Sequence, residues 1–242
     1  VVNPGGAYTT AANGSADAYF AKFDVNRQLV WSTYLGGSGY DEIYDGDIIT
    51  SRGTTLHLVG ERITTGAPFT NGGGFFQNTA ARNFWARFNK NTGVLEHLTS
   101  LSSGYKPSIT ISNSGLVAIS NDAYDFNVLP IVNRAGAYNQ AINGGTKDMG
   151  LLLFNAAYTQ IWGTFMGGTG SQENFSCAFD SNDNLYFVGE TSNNAGLVNL
   201  PGAYNQTTPG GGTDVMLGKF NSSGQLVWST LYGGNGSDAR MG

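Results

Sequence analysis

Short apolar segments recur along the chain at a nearly constant spacing. Each ends in a phenylalanine followed by Asp or Asn, and Phe23, Phe88, Phe154 and Phe220 are 65, 66 and 66 residues apart. A short apolar run that stops at a turn-forming residue is typical of a β-strand entering a hairpin. A second strand is predicted after each polar turn, at residues 29–35, 94–100, 161–165 and 226–231, with a tryptophan in three of the four: Trp31, Trp162 and Trp228.

Two further short strands complete each unit. They are predicted at residues 47–50 and 55–60, then at 108–112 and 116–120, then at 175–179 and 185–189. Sequence similarity at a fixed period of tens of residues is the signature of a repeat array, and four antiparallel strands per unit are the content of one propeller blade. No segment has a sustained period of 3.6 with helix caps, so we expect almost no helix.

The predicted fold class is therefore all-β: a β-propeller of four-stranded antiparallel blades, with about 3.5 blades in this chain. We treat residues 1–242 as a single array whose repeat units are approximately 5–71, 72–134, 135–200 and 201–242. The fourth unit stops after its second strand. We therefore expect that other segments of a longer chain, or another protein chain, complete the ring. The absence of an initial Met favours a processed chain or a fragment.

A repeated phrase precedes the first strand of each unit. It reads Gly6-Ala7-Tyr8, Gly136-Ala137-Tyr138-Asn139-Gln140 and Gly202-Ala203-Tyr204-Asn205-Gln206, with Gly74-Phe75-Phe76-Gln77 in the second unit. An acid follows at Asp17, Asp148 and Asp214, and Asn83 holds that place in the second unit. Recurrence favours a shared structural role, such as accepting backbone N–H groups at a corner. The alternative is a ring of acids that faces a channel and holds a cation.

These phrases resemble the bacterial seven-bladed β-propeller (SBBP) repeats. The resemblance rests on Gly202-Ala203-Tyr204, Gly212-Thr213-Asp214, Trp228-Ser229-Thr230 and the run Gly233-Gly234-Asn235-Gly236-Ser237-Asp238. The first unit matches through residues 31–41, the third has Gln172 in place of Asp41 and Asp238, and the second lacks the double glycine. The resemblance implies a secreted or surface-exposed protein, often a large polypeptide of Bacteroidetes and related bacteria.

Composition narrows the possible functions. Only 12% of residues are charged and the net charge is −5, so the clustered Lys and Arg that nucleic acids require are missing. Aromatic residues make up 12% and lie in register with the repeat, which favours order despite 36 glycines. The longest apolar runs are strand-sized, so we predict no membrane span. The single cysteine, Cys177, is interpreted as a small buried hydrophobe rather than a reactive thiol.

Candidate chemistry is sparse. The two histidines, His57 and His97, fall in strands of different units and are interpreted as structural. Residues 180–184 begin like a calcium loop, but Leu185 replaces the glycine and Thr191 the glutamate that such a loop needs, so a hairpin turn is favoured. The acids Asp41, Glu42, Asp45 and Asp47 are interpreted as a solvated loop rather than a site. No catalytic motif occurs.

We therefore expect a non-catalytic secreted or cell-surface module that acts as a scaffold, adhesion or protein-docking unit, without catalytic residues, bound metal or cofactor. The alternative is a carbohydrate-binding module attached to a polysaccharide-active enzyme, with surface glycans as partners. Loop aromatics favour it: Phe69, Phe75 and Phe76 in one connection, and residues 124–126 in another. Packing of those rings under their own loops is the competing explanation. An enzyme ranks third, because propeller enzymes gather charged residues at the channel mouth and this chain has few.

Overall fold

The computed structural model describes residues 11–12, 14–41, 43, 49–63, 67, 81–102, 104–124, 131–141, 145–193, 201, 204, 206–208 and 210–238. Within these residues fourteen strands form four antiparallel sheets, and no helix is present. The all-β prediction is therefore confirmed. The described residues also contain no helix with the length and apolar character needed to cross a membrane.

The sheets contain two, four, four and four strands, joined in chain order. The strands are β1 (Ala18–Phe23), β2 (Leu29–Leu35), β3 (Ile49–Arg52), β4 (Thr55–Ile63), β5 (Ala81–Asn89), β6 (Leu95–Ser102), β7 (Gly104–Ile111), β8 (Val117–Tyr124), β9 (Lys147–Phe154), β10 (Gln160–Met166), β11 (Gln172–Phe179), β12 (Leu185–Thr191), β13 (Asp214–Phe220) and β14 (Leu226–Tyr232). All were expected from the sequence to within a few residues. The sheets are β1–β2, β3–β6, β7–β10 and β11–β14.

Each four-stranded sheet combines strands from two successive sequence repeats. We expected the four strands of one repeat to form one sheet, and this was wrong. The fourth strand of one repeat pairs instead with the first strand of the next, as in Leu56 opposite Phe88 and Leu185 opposite Phe220. The physical reason is that the chain changes sheet after the second strand of a repeat, at the Gly-rich run in the first and third repeats.

The repeated Asp or Asn after each phenylalanine closes the hairpin between the first two strands of a repeat. Its side-chain oxygen accepts backbone N–H groups two and three or four residues ahead, which is an Asx turn. In the four examples, Asp24 accepts from Asn26 and Gln28, Asn89 from Asn91 and Thr92, Asn155 from Ala157 and Thr159, and Asn221 from Ser223 and Gln225. The turns predicted at these positions are confirmed.

The chain divides into two compact units, residues 1–103 and 104–242. The first contains the sheets β1–β2 and β3–β6, with one buried apolar cluster that includes Phe20, Trp31, Phe84 and Phe88. The second contains the sheets β7–β10 and β11–β14, with a cluster that includes Leu151, Trp162, Phe187 and Phe220. In both units the cluster lies between two sheets.

The two clusters use equivalent repeat positions, because Trp31 and Phe88 of the first unit correspond to Trp162 and Phe220 of the second. The rings of Phe20 and Phe88 are 5.8 Å apart in the first unit, and those of Trp162 and Phe220 are 5.0 Å apart in the second. Trp31 Nε1 donates to Lys90 O at 3.0 Å, in the turn of the following repeat. In each unit, one face of the first sheet is therefore covered by the phenylalanine face of the second sheet.

The first sheet leaves its own phenylalanine face open. Phe23 is 59% exposed and Tyr19 is 51% exposed, whereas Phe88 and Phe220, at the position of Phe23 in later repeats, are buried. The same repeated side chain thus has two environments in one chain.

We expect Phe220→Ala to lower the free energy of unfolding by about 3–5 kcal/mol, because it opens a cavity between two sheets. Phe23→Ala should lower it by about 1 kcal/mol or less, because Phe23 is more than half exposed. Urea unfolding followed by tryptophan fluorescence measures both. Equal losses in the two variants would show that the first sheet is covered in solution.

Candidate functional site

Each repeated acid lies opposite the first glycine after the second strand of its repeat. A Cβ built on Gly36 would lie 2.1 Å from Asp17 Oδ1, one on Gly167 1.8 Å from Asp148 Oδ1, and one on Gly233 2.2 Å from Asp214 Oδ1. These glycines are required because their missing side chain makes room for the carboxylate.

The second repeat lacks both parts of this pair. Asn83 lies opposite Ser102 and is fully buried. Within the described part of the chain, neither of its amide atoms forms a hydrogen bond. The acid and its glycine are therefore lost together in the most divergent repeat.

Asp214 shows what the carboxylate does. Its Oδ2 accepts the backbone N–H of Gly210 at 2.9 Å and Gln206 Nε2 at 3.0 Å. The structural role expected for this acid is thus confirmed at Asp214. Among the residues that the structure describes, no group of three or more His, Cys, Asp or Glu side chains is placed to hold a metal ion.

A second side chain closes each Gly-rich turn. It lies four residues after the second glycine of the run and accepts the backbone N–H of that glycine. Asp41 Oδ2 accepts the N–H of Gly37 at 2.9 Å, and Gln172 Oε1 accepts that of Gly168 at 3.1 Å. Asp238 accepts the N–H of Gly234 in the same way. Asp41 is buried, so its assignment to a solvated acidic loop was wrong. Glu42, Asp45 and Asp47 lie outside the described residues.

The repeated Tyr-Asn-Gln phrase covers the outer edge of the last strand in a sheet. Gln206 O accepts the N–H of Leu231 at 3.0 Å, and the N–H of Gln206 donates to Thr230 Oγ1 at 3.0 Å. Gln140 makes the same contacts with Phe165 and Thr164 in the preceding repeat. Covering an edge in this way prevents it from pairing with other strands. Residues 6–8, 74–77, 202–203 and 205 of these phrases are outside the described part.

Gly233→Ala should lower the free energy of unfolding by about 2–4 kcal/mol, because the new methyl group overlaps the buried Asp214 carboxylate. Gly234→Ala is the matched control, since the nearest atom to a Cβ there is 3.8 Å away. Thermal unfolding of the two variants tests this. A harmless Gly233→Ala would mean that the acid does not depend on its glycine.

The structure brings the two histidines onto one sheet, which sequence reasoning missed. Arg87 of β5 lies opposite His57 of β4 on one side and His97 of β6 on the other. Both histidines are buried, and His57 Nδ1 accepts Trp85 Nε1 at 3.3 Å. Burial, and then the Arg87 charge, lower the pKa of each histidine to about 4. Both histidines are therefore neutral near pH 7.

Four charged side chains in the second unit form the most concentrated ionic site of the described residues. Glu173 of β11 accepts hydrogen bonds from Lys106 of β7 and Lys147 of β9, and Lys147 Nζ lies 3.8 Å from Asp122 Oδ2 of β8. We call these four residues the ionic cluster. They connect β11 to three strands of the neighbouring sheet.

The backbone at the ionic cluster is irregular. Lys106 has φ of +49°, which is uncommon for a residue with a side chain, and the β7–β8 register shifts between Tyr105 and Ser108. The β11–β12 register shifts between Asn174 and Ser176. Bulges of this kind redirect side chains, and they cluster near functional sites.

The two acids of the cluster have opposite protonation behaviour. Burial raises the pKa of Asp122 to about 7, although the N–H of Asn174 and the charge of Lys147 act against it. Burial also acts to raise the pKa of Glu173, but the hydrogen bonds from Lys106 and Lys147 outweigh it and lower that pKa. Asp122 is buried, with only 1% of its surface exposed, which accounts for the large effect of desolvation on its pKa.

Asp122→Asn should change the pH dependence of stability. Because the folded pKa of Asp122 lies above its ordinary value of 3.8, this residue stabilises the fold at low pH and loses that contribution as the pH rises through about 7. Relative to the wild type, the variant should gain a few kcal/mol between pH 4 and pH 7, since each pKa unit corresponds to about 1.4 kcal/mol. The histidines act in the opposite direction but cancel in the difference. Urea unfolding at several pH values measures the gain, and a pH-independent difference would contradict it.

The structure confirms two further expectations from the sequence, at Cys177 and at residues 180–184 of the second unit. Cys177 is buried in the apolar cluster, and burial raises the pKa of its thiol to about 11, which confirms its packing role. Asp180 Oδ1 accepts the N–H groups of Asn182 and Asn184, so residues 180–184 form the β11–β12 hairpin turn that the sequence favoured.

Of the loop aromatics, only Tyr124 belongs to the described residues. Its ring meets that of Tyr105 edge-on at 5.3 Å, so it packs on its own sheet. Phe69, Phe75, Phe76 and Phe126 lie outside the described residues. An exposed aromatic pair occurs elsewhere, at Tyr204 and Tyr232, with ring centroids 5.9 Å apart.

The outer face of the β11–β14 sheet carries an apolar hollow of about 180 Å³. Tyr186, Val188, Leu217 and Trp228 line it together with the backbone around Gly218. These four side chains are half-buried. The opposite face of the same sheet is the one that packs in the apolar cluster.

No family model matches this chain, and neither does any curated protein. Among solved structures, a member of the DUF4221 family from Bacteroides vulgatus ATCC 8482 is similar, with a TM-score of 0.43 and 10% sequence identity. The match covers 88% of this chain and 61% of that protein, so the chain spans less than two thirds of its length.

Proposed function

We propose that the chain is a non-catalytic β-propeller module of a larger secreted or cell-surface bacterial protein, in which it acts as a scaffold, adhesion or docking unit. Four-stranded antiparallel sheets that follow one another along the chain and pack face to face are the building pattern of propeller blades. The resemblance to SBBP repeats supports the same arrangement and a location outside the cell.

The observation that carries the proposal is the outer face of the β11–β14 sheet. Val215, Leu217 and Trp228 on this face occupy the repeat positions of Met149, Leu151 and Trp162, 66 residues earlier in the chain. The earlier residues are buried between two sheets, whereas the later ones are only half-buried. A face with the residue types that pack between sheets elsewhere, and with no sheet against it among the described residues, is the expected form of a docking surface.

The repeated side chains favour a scaffold over an enzyme. The tryptophans and phenylalanines pack between sheets, and Asp214 and Gln172 close turns. The ionic cluster joins two sheets, and its one acid with a pKa near neutrality, Asp122, is buried. Each of these groups has a structural contact that accounts for its place in the repeat or in the cluster.

A carbohydrate-binding module is the second candidate, and one observation favours it. Tyr204 and Tyr232 are 59% and 63% exposed, and their rings lie side by side. Exposed aromatic faces of this kind stack on sugar rings. Tyr204 OH also donates to Gln206 Oε1 at 2.9 Å, which orders the ring for such a contact.

The deciding experiment uses the purified domain, with folding verified by circular dichroism. We expect no turnover of chromogenic glycoside, ester and peptide substrates, and no retention on a glycan array. Reproducible turnover would overturn the scaffold proposal. Retention of a glycan that is lost in Tyr204→Ala or Tyr232→Ala would replace it with the carbohydrate candidate. Tyr19→Ala, at another exposed tyrosine, is the matched control.

A further inference from the structure

Strand β1 has an open edge. Within the described part of the chain it pairs only with β2. In the other repeats, β5, β9 and β13 hold the same place as β1, and each pairs on both sides. On the side of β1 that has no partner among the described residues, the backbone N–H and C=O groups can bind a further strand.

The edge of β1 lacks the features that usually block strand addition. It contains no proline, and its one charged residue is Lys22. The Lys22 ammonium donates to Lys90 O at 2.8 Å, so it is held in a contact with the following repeat. The tyrosine–glutamine phrase that protects an outer edge acts on the second strand of a repeat, as at β14, and not on the first.

The other sheets show what kind of strand occupies this edge. In each of them a hairpin, β3–β4, β7–β8 or β11–β12, supplies the missing neighbour. The register is the same in all three, with Leu56, Val117 and Leu185 opposite Phe88, Phe154 and Phe220. The phenylalanine at the end of the first strand thus marks where the incoming strand begins.

Side-chain size sets which hairpin fits which strand. Leu58 lies opposite Ala86 in the β4–β5 pair, whereas Phe187 lies opposite Gly218 in the β12–β13 pair. A Cβ on Gly218 would lie 2.3 Å from the Phe187 ring, so an alanine there excludes that phenylalanine. In the same way, a Cβ on Gly60 would lie 2.5 Å from the ring of Phe84 opposite.

Strand β1 carries the same residue types as β5 at these positions. Tyr19 and Ala21 correspond to Phe84 and Ala86, an aromatic residue and an alanine, and Phe23 corresponds to Phe88. The partner strand should therefore place Leu opposite Phe23, Leu opposite Ala21 and Gly opposite Tyr19, as β4 does for β5.

We propose that the β1 edge binds, by antiparallel strand addition, a β-hairpin of another repeat whose last strand reads Leu-x-Leu-x-Gly. The inference rests on the proposed docking function and names the partner at one end of the module. Docking there would place the side chains of the incoming strand beside Tyr19 and Phe23, which are exposed in this chain. Backbone hydrogen bonds supply the affinity in this mode of recognition, and alternate side chains supply the specificity.

The test uses the whole domain and a fluorescent peptide with the sequence of residues 49–63, which contains such a hairpin. We expect saturable binding by fluorescence anisotropy and NMR shift changes centred on residues 18–23. A peptide with Leu58→Phe should bind at least about tenfold more weakly, because Ala21 leaves no room for the ring. The domain variant Ala21→Gly should restore binding of that peptide. Ala157→Gly, at an exposed turn, should restore nothing.

Three results would overturn the inference. The first is no saturable binding at millimolar peptide. The second is an affinity that stays the same with the Leu58→Phe peptide and with the Ala21→Gly domain. The third is NMR shift changes away from β1. Slow hydrogen exchange on both sides of β1 in the free domain would also contradict it, because the edge would already be paired. None of these results concerns turnover or glycan retention, so the inference can fail while the proposed function stands.

Discussion

The burial of one sheet face by the next is the interaction on which this structure depends. Strand β8 has seven buried residues followed by one half-buried residue, and β9 has one half-buried residue followed by seven buried ones, so side chains on both faces of their sheet are buried. A sheet of this kind is unstable alone, because neither face tolerates water over its whole area. Stability therefore comes from the packing of one sheet against another within each unit, at Phe88 in the first unit and Phe220 in the second.

The glycine-rich turns after β2 and β10 carry the chain from one sheet to the next. After the second strand the chain must leave one sheet and enter another, and it does so where a buried carboxylate takes the space of a glycine side chain. Asp214 illustrates the arrangement with Gly233. Asp41 or Gln172 then fixes the course of the turn from four residues downstream. An acid and an amide perform the same task, because only an oxygen acceptor is needed.

Much of the fold could be predicted from periodicity, because a strand, a hairpin turn and an apolar face are local properties. The strands, the Asx turns at Asp24 and Asn155, and the burial of Cys177 are of this type. Strand partners are not local. The repeat period does not predict the pairing of Leu56 with Phe88, which lie in successive repeats. The sequence pattern is the same wherever the repeat is taken to begin. The alignment of both histidines with Arg87 and the assembly of the ionic cluster follow from that pairing, so sequence reasoning missed both. The burial of Asp41 was missed because an acidic run usually indicates solvent.

The pairing of strands from successive repeats also has an evolutionary consequence. Each four-stranded sheet spans the boundary between two repeats, as the pair Leu185 and Phe220 shows in the last sheet. The unit that is duplicated therefore need not coincide with the unit that folds. A gene duplication of one whole period adds a complete sheet wherever its breakpoints fall, provided that the inserted length is preserved. Selection on such an array acts on the length of the period and leaves its starting point free, so arrays of different sizes can arise by simple unequal recombination.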